Sequence, residues 1–183
     1  MKRDFVFVTG NADKQREAER ILGFRPNSRS IDLPELQSLD LSEILRAKAL
    51  AAFAHLGCPV VVEDVSFEML ALNGFPGPMV KWMLESLGAE GLARVAITLG
   101  NPRARAICGL ALHDGHRIHL FEGRTEGNLV AVRRGAHGFG WDPVFQPLGS
   151  ELTYAELPPA QKDLIGHRGK AWRALLAALG ESA

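Results

Sequence analysis

The sequence predicts a single α/β domain over residues 1–183, built on a mixed sheet. Residues 4–64 alternate strand-like and helix-like segments in the order β-α-β-α-β, which favours parallel strands covered by helices. A later pair of strands joined at Asp114-Gly115 adds an antiparallel hairpin, so we expect both kinds of pairing. The length suits one well-cored domain, or one domain with two lobes around a cleft, and no linker or internal repeat divides the chain.

The first half of the chain contains the alternating strands and helices. The segment DFVFVTGN is a short buried strand that ends in a turn. Ala18, Ile21 and Leu22 then follow at helical spacing, and Gly23 ends that helix. Ser42 is the predicted N-cap of a second helix, EILRAKALAAFAHLG, and the β-branched run CPVVVED is the next strand.

The second half supplies the hairpin and a closing helix. In the loop NGFPGPMVKWML, Pro78 is expected in the first turn of a short helix that ends at Leu84. The segment RARAICGLALHDGHRIHLFEGRTEGNLV predicts two strands that meet at Asp114-Gly115. The amphipathic run KAWRALLAALG predicts the last helix.

Composition excludes several classes of protein. Hydrophobic residues make up 46%, charged residues 23%, and the formal net charge is zero, which is typical of a soluble globular protein rather than a nucleic-acid or membrane-surface binder. The apolar runs have strand length and no secretory leader pattern is present, so we expect a cytoplasmic protein. Cys58 and Cys108 lie in apolar strand-like runs, which predicts reduced, buried thiols. No Ser-His-Asp or Cys-His nucleophile motif occurs, so covalent catalysis is not expected.

The loop after the first strand is a candidate anion site. Thr9, Gly10 and Asn11 precede a helix whose free N–H groups and positive dipole end can bind an anion, and Lys14 lies on its first turn. Neither the P-loop nor the Rossmann fingerprint is present. An Asn-capped helix with a solvated lysine fits the same residues, so the local pattern leaves both interpretations open.

Three carboxylates are candidate metal ligands. Glu63 and Asp64 are predicted to end the VVV strand, and Glu35 lies in a proline-flanked loop after the second strand. Open α/β sheets place their sites at the carboxyl ends of strands, and carboxylates together with substrate phosphates are the usual ligands of Mg²⁺. Solvated acids at the starts of loops are the alternative.

Three histidines near the hairpin turn do not predict a metal site. Asp114-Gly115 makes a turn between His113 and His116, and the spacing of three places His116 and His119 on opposite faces of an extended strand. We expect these histidines on the rim of the hairpin.

The segment GFGWDP is the strongest local signal. Gly138 and Gly140 allow a tight turn that would expose Phe139 and Trp141, while Asp142 precedes a proline and is biased to extended geometry. Packing of both aromatic side chains in the core is the alternative interpretation.

A cluster of cationic and imidazole groups follows this turn in the sequence. Lys162, His167 and Arg168 stand in the segment TYAELPPAQKDLIGHRGK. Aromatic faces can stack on a planar base, while Lys and Arg meet phosphates or carbonyl oxygens. The two segments together predict a pocket for a ring that carries an anion.

The chain resembles the inosine triphosphate pyrophosphatase family, whose enzymes hydrolyse deaminated purine nucleoside triphosphates. The resemblance covers nearly the whole chain and rests on six blocks in order: FVTGNADK, IDLPELQ, VEDVSFEMLALNGFPGPMVKWML, GRTEGNLV, GFGWDPVFQP and TYAELPPAQKDLIGHRGKA. It implies two lobes of one domain with a cleft over a long mixed sheet, a divalent metal that is usually Mg²⁺ with Mn²⁺ as a substitute, and a homodimer. It further implies that ITP, dITP or XTP reacts with water to give the nucleoside monophosphate and pyrophosphate.

The resemblance also implies roles for individual positions. Asp64 matches both a metal ligand and the base that activates water, and Glu35 matches the other metal carboxylate. The matches to the triphosphate loop are Thr9, Gly10, Asn11 and Lys14, of which Lys14 also serves catalysis. The matches to further substrate-binding positions are Lys48, Val65 and Lys81. The matches to the base and sugar pocket are Phe139, Gly140, Trp141 and Asp142, and those to the base clamp are Lys162, His167 and Arg168.

Two positions depart from the family pattern. Val65 stands where the family commonly has Thr or Ser, and Gly166 stands where it often has Ser before the His-Arg pair. Each departure removes a hydroxyl and neither removes a charge. We expect altered affinity rather than lost activity, because the Val65 backbone N–H can still serve a phosphate.

Three rival functions are weighed against this one. A nucleotide-binding regulator without turnover would not need Glu35, Asp64 and Lys14. A pyrophosphatase for other modified nucleotides, such as pyrimidine triphosphates, fits the GFGWDP and HR blocks less well than a purine enzyme. A nucleic-acid module is disfavoured by the zero net charge.

The His-Arg pair predicts which purine base is preferred. Arg168 has only donors and His167 can donate, so the pair suits the C6 carbonyl of hypoxanthine or xanthine and opposes the C6 amino group of adenine.

Overall fold

The computed structural model describes residues 4–180, so the first and last three residues of the predicted domain lie outside it. Residues 4–180 contain seven strands: β1 (Val6–Val8), β2 (Asn27–Arg29), β3 (Val60–Met69), β4 (Pro76–Gly77), β5 (Arg103–His113), β6 (Ile118–Leu129) and β7 (Phe145–Pro147). They form one sheet in the order β2-β1-β3-β5-β6-β7, with β4 paired to β3 beside this path. β1 pairs in parallel with β2 and β3, and every other pairing is antiparallel, which confirms the mixed sheet.

In the described part of the chain, five α-helices flank the sheet. They are α1 (Ala12–Leu22), α2 (Leu41–Leu56), α3 (Val80–Thr98), α4 (Pro159–Ile165) and α5 (His167–Ala178). Short 3₁₀ helices lie at Leu70–Leu72 and Asp142–Val144. No helix within residues 4–180 is both long and apolar enough to span a bilayer.

The core has one part on each face of the sheet and a third part at its far end. Ala49 and Ala52 of α2 pack on Val60 and Val62, whereas Trp172 of α5 packs with Val61 on the opposite face. This division follows from the strand period, since successive side chains point to opposite faces. The third part lies under α3 and the residues before β7, and its buried side chains include Phe67, Leu92, Trp141, Phe145 and Tyr154.

Strand β3 belongs to both ends of the sheet. Its first residues, Val60–Val62, pair with β1, its later residues Phe67 and Glu68 pair with β4, and β5 pairs along its whole length. The prediction that this strand ends at Glu63 and Asp64 is therefore wrong. The parallel pairing ends there, and the antiparallel pairing with β5 carries the strand on to Met69.

Two predicted helix starts are also wrong. Asp40 caps α2 instead of Ser42, because its carboxylate accepts a hydrogen bond from the Ser42 N–H at 2.8 Å. Pro78 lies before α3, which begins at Val80 and continues past Leu84 to Thr98 across a break at Gly88, where φ is 68°. Each error comes from a short polar or proline signal that lies a residue or two from the true boundary.

The hairpin between β5 and β6 is confirmed. The Asp114 carboxylate accepts from the N–H groups of His116 and Arg117 at 2.9 Å, and its second oxygen lies 2.7 Å from His119 Nε2. His113 is buried and stacks on the Phe53 ring at 4.0 Å, so it is not a rim residue.

The two thiols differ in their surroundings. Cys108 is buried as predicted, whereas Cys58 is only half-buried because it stands before the strand rather than within it.

Candidate active site

A cleft of about 520 Å³ opens between α1, the loop before α2, the start of α3 and the GFGWDP turn. Twelve of the predicted site residues line it: Thr9, Gly10, Asn11, Lys14, Glu35, Lys48, Asp64, Val65, Lys81, Phe139, Gly140 and Trp141. Residues as far apart in the sequence as Thr9 and Trp141 therefore meet at one opening. The other four predicted residues, Asp142, Lys162, His167 and Arg168, do not line it.

The loop before α1 is closed by its own asparagine. Asn11 Oδ1 accepts from the N–H groups of Asp13 and Lys14 at 2.9 and 3.0 Å, and Thr9 Oγ1 accepts from the Asn11 N–H at 3.1 Å. The N–H groups of Asn11, Asp13 and Lys14 are thus all taken within the loop. Asn11 caps α1, but Lys14 is not a solvated lysine, because its side chain is only 14% exposed and its Nζ lies 3.5 Å from Glu63 Oε1.

Glu63 and Asp64 are adjacent in β3 and therefore point to opposite faces of the sheet. Asp64 turns toward α2, where Lys48 Nζ donates to its Oδ2 at 2.8 Å. Glu63 turns toward α1 and α5 and is completely buried. The alternation of side chains along the strand thus places Asp64 in a partly exposed ion pair and Glu63 in a buried one.

Asp64 is held in its ionised form. Burial disfavours its charge, but Lys14 and Lys48 outweigh that effect and hold the pKa of the Asp64 carboxyl below its usual range. Its Oδ1 accepts from the Val65 N–H at 2.9 Å, so the N–H expected to serve a phosphate is engaged here. The Asp64 and Lys48 side chains keep about a fifth of their surface exposed, at 22% and 19%. This pair can still exchange partners with a ligand.

The carboxylates on the cleft wall fit a hard divalent cation. Glu35 and Asp64 both line the cleft, and a cationic amine already lies against Asp64 Oδ2. Within residues 4–180, no group of three or more His, Cys, Asp or Glu side chains converges to hold a metal ion. Two carboxylates completed by substrate phosphates and water are a usual provision for Mg²⁺.

The GFGWDP turn forms one end of the cleft. Gly138 and Gly140 have φ values of 73° and 61°, and a Cβ at Gly138 would lie 2.0 Å from Asp142 Oδ2, so the turn requires glycine there. Phe139 is half-buried, whereas Trp141 is buried against the Phe67 ring at 4.8 Å. The core alternative thus holds for most of the Trp141 ring, although that residue also lines the cleft.

Asp142 supports the turn from behind. Its Oδ2 accepts from the Phe139 N–H at 2.8 Å and from Lys162 Nζ at 2.6 Å. Burial raises the pKa of the Asp142 carboxyl despite the attraction of Lys162. The family resemblance predicted Asp142 in the base and sugar pocket. In the structure its carboxylate holds the backbone of Phe139 in place.

A chain of alternating charges runs behind the cleft, and we call it the buried charge chain. Its members, in order of contact, are Lys14, Glu63, Arg168, Glu17, Lys162 and Asp142. Arg168 Nε donates to both Glu63 oxygens at 3.0 and 3.2 Å, and its Nη1 donates to Glu17 Oε2. Lys162 Nζ donates to Glu17 Oε1 at 2.7 Å. The two cations hold the pKa of Glu17 below its usual value against the effect of burial.

Sequence reasoning missed Glu17. Its signal was its place one helical turn after Lys14 and directly before the buried Ala18, which puts a carboxylate on the inner face of α1. A buried carboxylate needs a cationic partner, but its sequence neighbours Arg16 and Arg20 bind other carboxylates, those of Asp13 and Asp163. Its partners come from α4 and α5 instead.

His167 lies among aromatic rings and cations. Its ring stacks on Tyr154 at 5.8 Å and lies 6.2 Å from the Trp141 ring. Burial, and then Arg168 and Lys162, lower its pKa well below the usual value, so the imidazole is neutral. Among the described residues, neither ring nitrogen has a hydrogen-bond partner. A neutral imidazole keeps one donor and one acceptor, and both are uncommitted here.

Comparison with known proteins gives concordant matches. A family model described as the Ham1 family matches residues 5–178. A protein of Batrachochytrium dendrobatidis named inosine triphosphate pyrophosphatase is 46% identical over 170 residues, covering 91% of this chain and 88% of that protein. One of the same name from Puccinia graminis f. sp. tritici is 41% identical over 177 residues, covering 91% of each. The structure of a HAM1 protein from Coxiella burnetii shares the fold, with a TM-score of 0.82 at 24% identity over 96% of this chain and 98% of that one.

Proposed function

The chain belongs to the Ham1 family, and from that premise we propose that it is an enzyme that hydrolyses deaminated purine nucleoside triphosphates. ITP, dITP and XTP are its substrates, and the nucleoside monophosphate and pyrophosphate are its products. One observation of the structure carries the proposal: a single cleft joins the Lys48–Asp64 ion pair to a wall made by Phe139 and Trp141. Charged groups for a triphosphate and aromatic faces for a base thus lie at two ends of one opening.

Three lysines serve the phosphate end. Lys14, Lys48 and Lys81 line the cleft, and together they bring positive charge to a substrate that carries several negative charges. Oriented charges of this kind stabilise a transition state because they need not reorganise during the reaction. Lys14 and Lys48 are each paired with a carboxylate, Glu63 and Asp64 respectively, which orients both amines at the cleft.

Asp64 is the base in this proposal. The Asp64 carboxylate is ionised at neutral pH, so it can orient a water molecule and accept its proton. Mg²⁺, which Mn²⁺ can replace, would be held by Glu35 and Asp64, and when bound it would neutralise phosphate charge. The lysines fix the outer phosphates and the aromatic wall fixes the base, so the α-phosphorus is the atom presented to water.

The base end selects by hydrogen-bond donors. Lys162 Nζ and the Arg168 guanidinium lie over the Phe139 ring, at 5.3 and 5.4 Å from its centroid. Arg168 has only donors, and the neutral His167 keeps one, so a C6 carbonyl is accepted and the C6 amino group of adenine is opposed. Each mismatched buried group costs about 1–3 kcal/mol, so discrimination of about a hundredfold between ITP and ATP is expected.

We further propose a homodimer that works in the cytoplasm. The homodimer rests on the family resemblance, and it is checked by light scattering after size exclusion. The location follows from the proposed substrates, since nucleotide pools need cleansing where nucleic acids are made. Two free cysteines are compatible with a reducing compartment.

The proposal is tested by identifying the products of ITP hydrolysis by phosphorus NMR with Mg²⁺ present. We expect pyrophosphate and IMP only. Release of orthophosphate with IDP left behind would instead identify a phosphatase that acts on the terminal phosphate. Tight binding of ITP without any turnover would favour a regulator.

A further inference from the structure

Glu63 joins two cations that serve opposite ends of the cleft. Lys14 stands at the phosphate end, whereas Arg168 stands behind the aromatic wall at the base end. We infer that Glu63 is a positioning residue: through it, binding of phosphate at one end of the cleft raises the affinity of the other end for a base. This inference rests on the function proposed above, and it adds a dependence between two parts of the site.

Both cations use the same oxygen atom. Glu63 Oε1 accepts from Arg168 Nε at 3.0 Å and lies 3.5 Å from Lys14 Nζ. The other oxygen, Oε2, accepts from Arg168 Nε at 3.2 Å. A change at Lys14 therefore acts on Arg168 through one shared atom, Glu63 Oε1.

Burial prevents water from absorbing that change. The Glu63 side chain has no exposed surface, and the Arg168 side chain is 4% exposed. A charge in such surroundings must be compensated by its protein neighbours. Lys14 and Glu63 both line the cleft, but only Lys14, with 14% of its side chain exposed against none for Glu63, has the freedom to turn to a ligand.

The direction of the coupling follows from this arrangement. When an anion draws Lys14 toward the cleft, Glu63 loses part of its compensation and binds Arg168 more firmly. Glu17 already holds Arg168 through Nη1, and among residues 4–180 no hydrogen bond uses Nη2. A stronger hydrogen bond from Arg168 Nε to Glu63 thus fixes the plane of the guanidinium and the direction of its remaining donors. Binding at the phosphate end should then strengthen binding of a base.

The alternative is that Glu63 only neutralises buried charge and holds the fold together. In that case its loss would lower stability and activity, but it would not change how one part of the ligand affects the other. The dependence between the two ends is therefore the quantity to measure, since thermodynamic coupling belongs to a pair of sites and not to either alone.

The experiment uses inosine, which lacks phosphate, and pyrophosphate, which lacks a base. The dissociation constant of inosine is measured by calorimetry with and without saturating pyrophosphate, with Mg²⁺ present throughout. We compare the wild type with Glu63→Gln, which keeps the shape and removes the charge. The matched control is Glu68→Gln on the same strand, where the lost partner is Arg105 at 3.4 Å, and thermal unfolding shows that each variant is folded.

In the wild type and in Glu68→Gln, we expect pyrophosphate to strengthen inosine binding about fivefold or more, within the usual range of coupling between sites. In Glu63→Gln the gain should fall below about twofold. An equal gain in all three proteins, or no gain in the wild type, overturns the inference while ITP turnover stands. Absence of both inosine binding and ITP turnover in the wild type overturns the proposed function together with the inference.

A second variant keeps the test decisive if Glu63→Gln does not fold. Lys14→Met removes the competing cation and leaves Oε1 to Arg168 permanently. Inosine alone should then bind Lys14→Met more tightly than the wild type, and pyrophosphate should add nothing further. An unchanged inosine affinity in Lys14→Met contradicts the shared-oxygen mechanism.

Discussion

Asp64 and Glu63 are neighbours in one strand, yet they belong to regions of opposite character. On the Asp64 side, the carboxylate and Lys48 remain partly exposed in an open cleft. On the Glu63 side, the carboxylates and cations of the buried charge chain are closed off by α1, α4 and α5. The same residue types thus serve as exchangeable contacts on one face of the sheet and as a fixed support on the other. Burial, more than charge, decides which role an ion pair takes.

The energetics of the two regions differ accordingly. An exposed ion pair contributes about 0–1 kcal/mol to stability, because water compensates either partner when the other leaves. Removing one member of a buried pair costs about 3–5 kcal/mol, because the remaining charge has no other compensation. Ligands should therefore compete with Lys48 for Asp64 at a lower cost to the fold, whereas the members of the buried charge chain from Glu63 to Asp142 resist rearrangement.

The largest expected effect is on stability, from Glu17→Gln. This change leaves Arg168 and Lys162 with less compensation in the interior, so unfolding in urea should show a loss of about 3–5 kcal/mol. The matched control is Glu122→Gln, whose partner Arg124 lies at 2.9 Å with both side chains half-exposed. The control should change stability by less than about 0.5 kcal/mol. Equal losses in the two variants would abolish the distinction between the regions.

The next effect is on turnover, from Asp64→Asn. An amide of the same shape cannot accept the proton of water, so kcat for ITP should fall about a hundredfold or more. Thermal unfolding should change little, because the Asp64–Lys48 pair is partly exposed. The control is Asp32→Asn, which alters another carboxylate on the cleft wall. Its kcat for ITP should fall by less than about tenfold. Near wild-type turnover in Asp64→Asn would remove Asp64 from the role of base.

The smallest effect is a pH dependence of stability. The pKa of Glu17 lies below its usual value of 4.5, so its ionised form stabilises the fold above that pH, and this stabilisation is lost as pH falls through the folded-state pKa. The gap in unfolding free energy between the wild type and Glu17→Gln should therefore be constant near neutral pH and shrink below about pH 4.5. The raised pKa of Asp142 makes the fold more stable as pH falls, which is the opposite pH dependence. Because Asp142 is present in both proteins, its contribution largely cancels in the difference between their unfolding free energies. A gap that widens on acidification would show that Glu17 is not the stabilising carboxylate.

The fold was predictable where the signal was local. Strand and helix alternation and the Asp114-Gly115 turn were enough for a mixed sheet, because these patterns depend on residues a few positions apart. The true length of β3 was not predictable, since its second half is a strand only because β5 runs beside it. Exact helix starts failed at Ser42 and Pro78 for the same reason that helix ends are generally uncertain.

The candidate site divides in a similar way. Twelve residues predicted from the family resemblance line the cleft, on loops and on β3 and also, for Lys14, Lys48 and Lys81, on helices. The surroundings of Arg168 were not predictable, because its partners Glu17 and Glu63 lie 151 and 105 positions away in the sequence. An Arg168→Ala variant is consequently a poor test of base reading, since it also leaves those two carboxylates without their cation.

The hairpin and β3 also differ in how their contacts close the chain during folding. β5 and β6 meet across a loop of a few residues, whereas β1 and β3 pair Val6 with Val60, which closes about fifty residues. Local contacts form at lower entropic cost and earlier than distant ones. Glu63 and Asp64 lie where these two halves of the sheet join, just past the last parallel pair, Val8 with Val62. A chain that has formed only its hairpin lacks the pairing that places these two acids, so we expect enzymatic activity to return only once β1 has paired with β3.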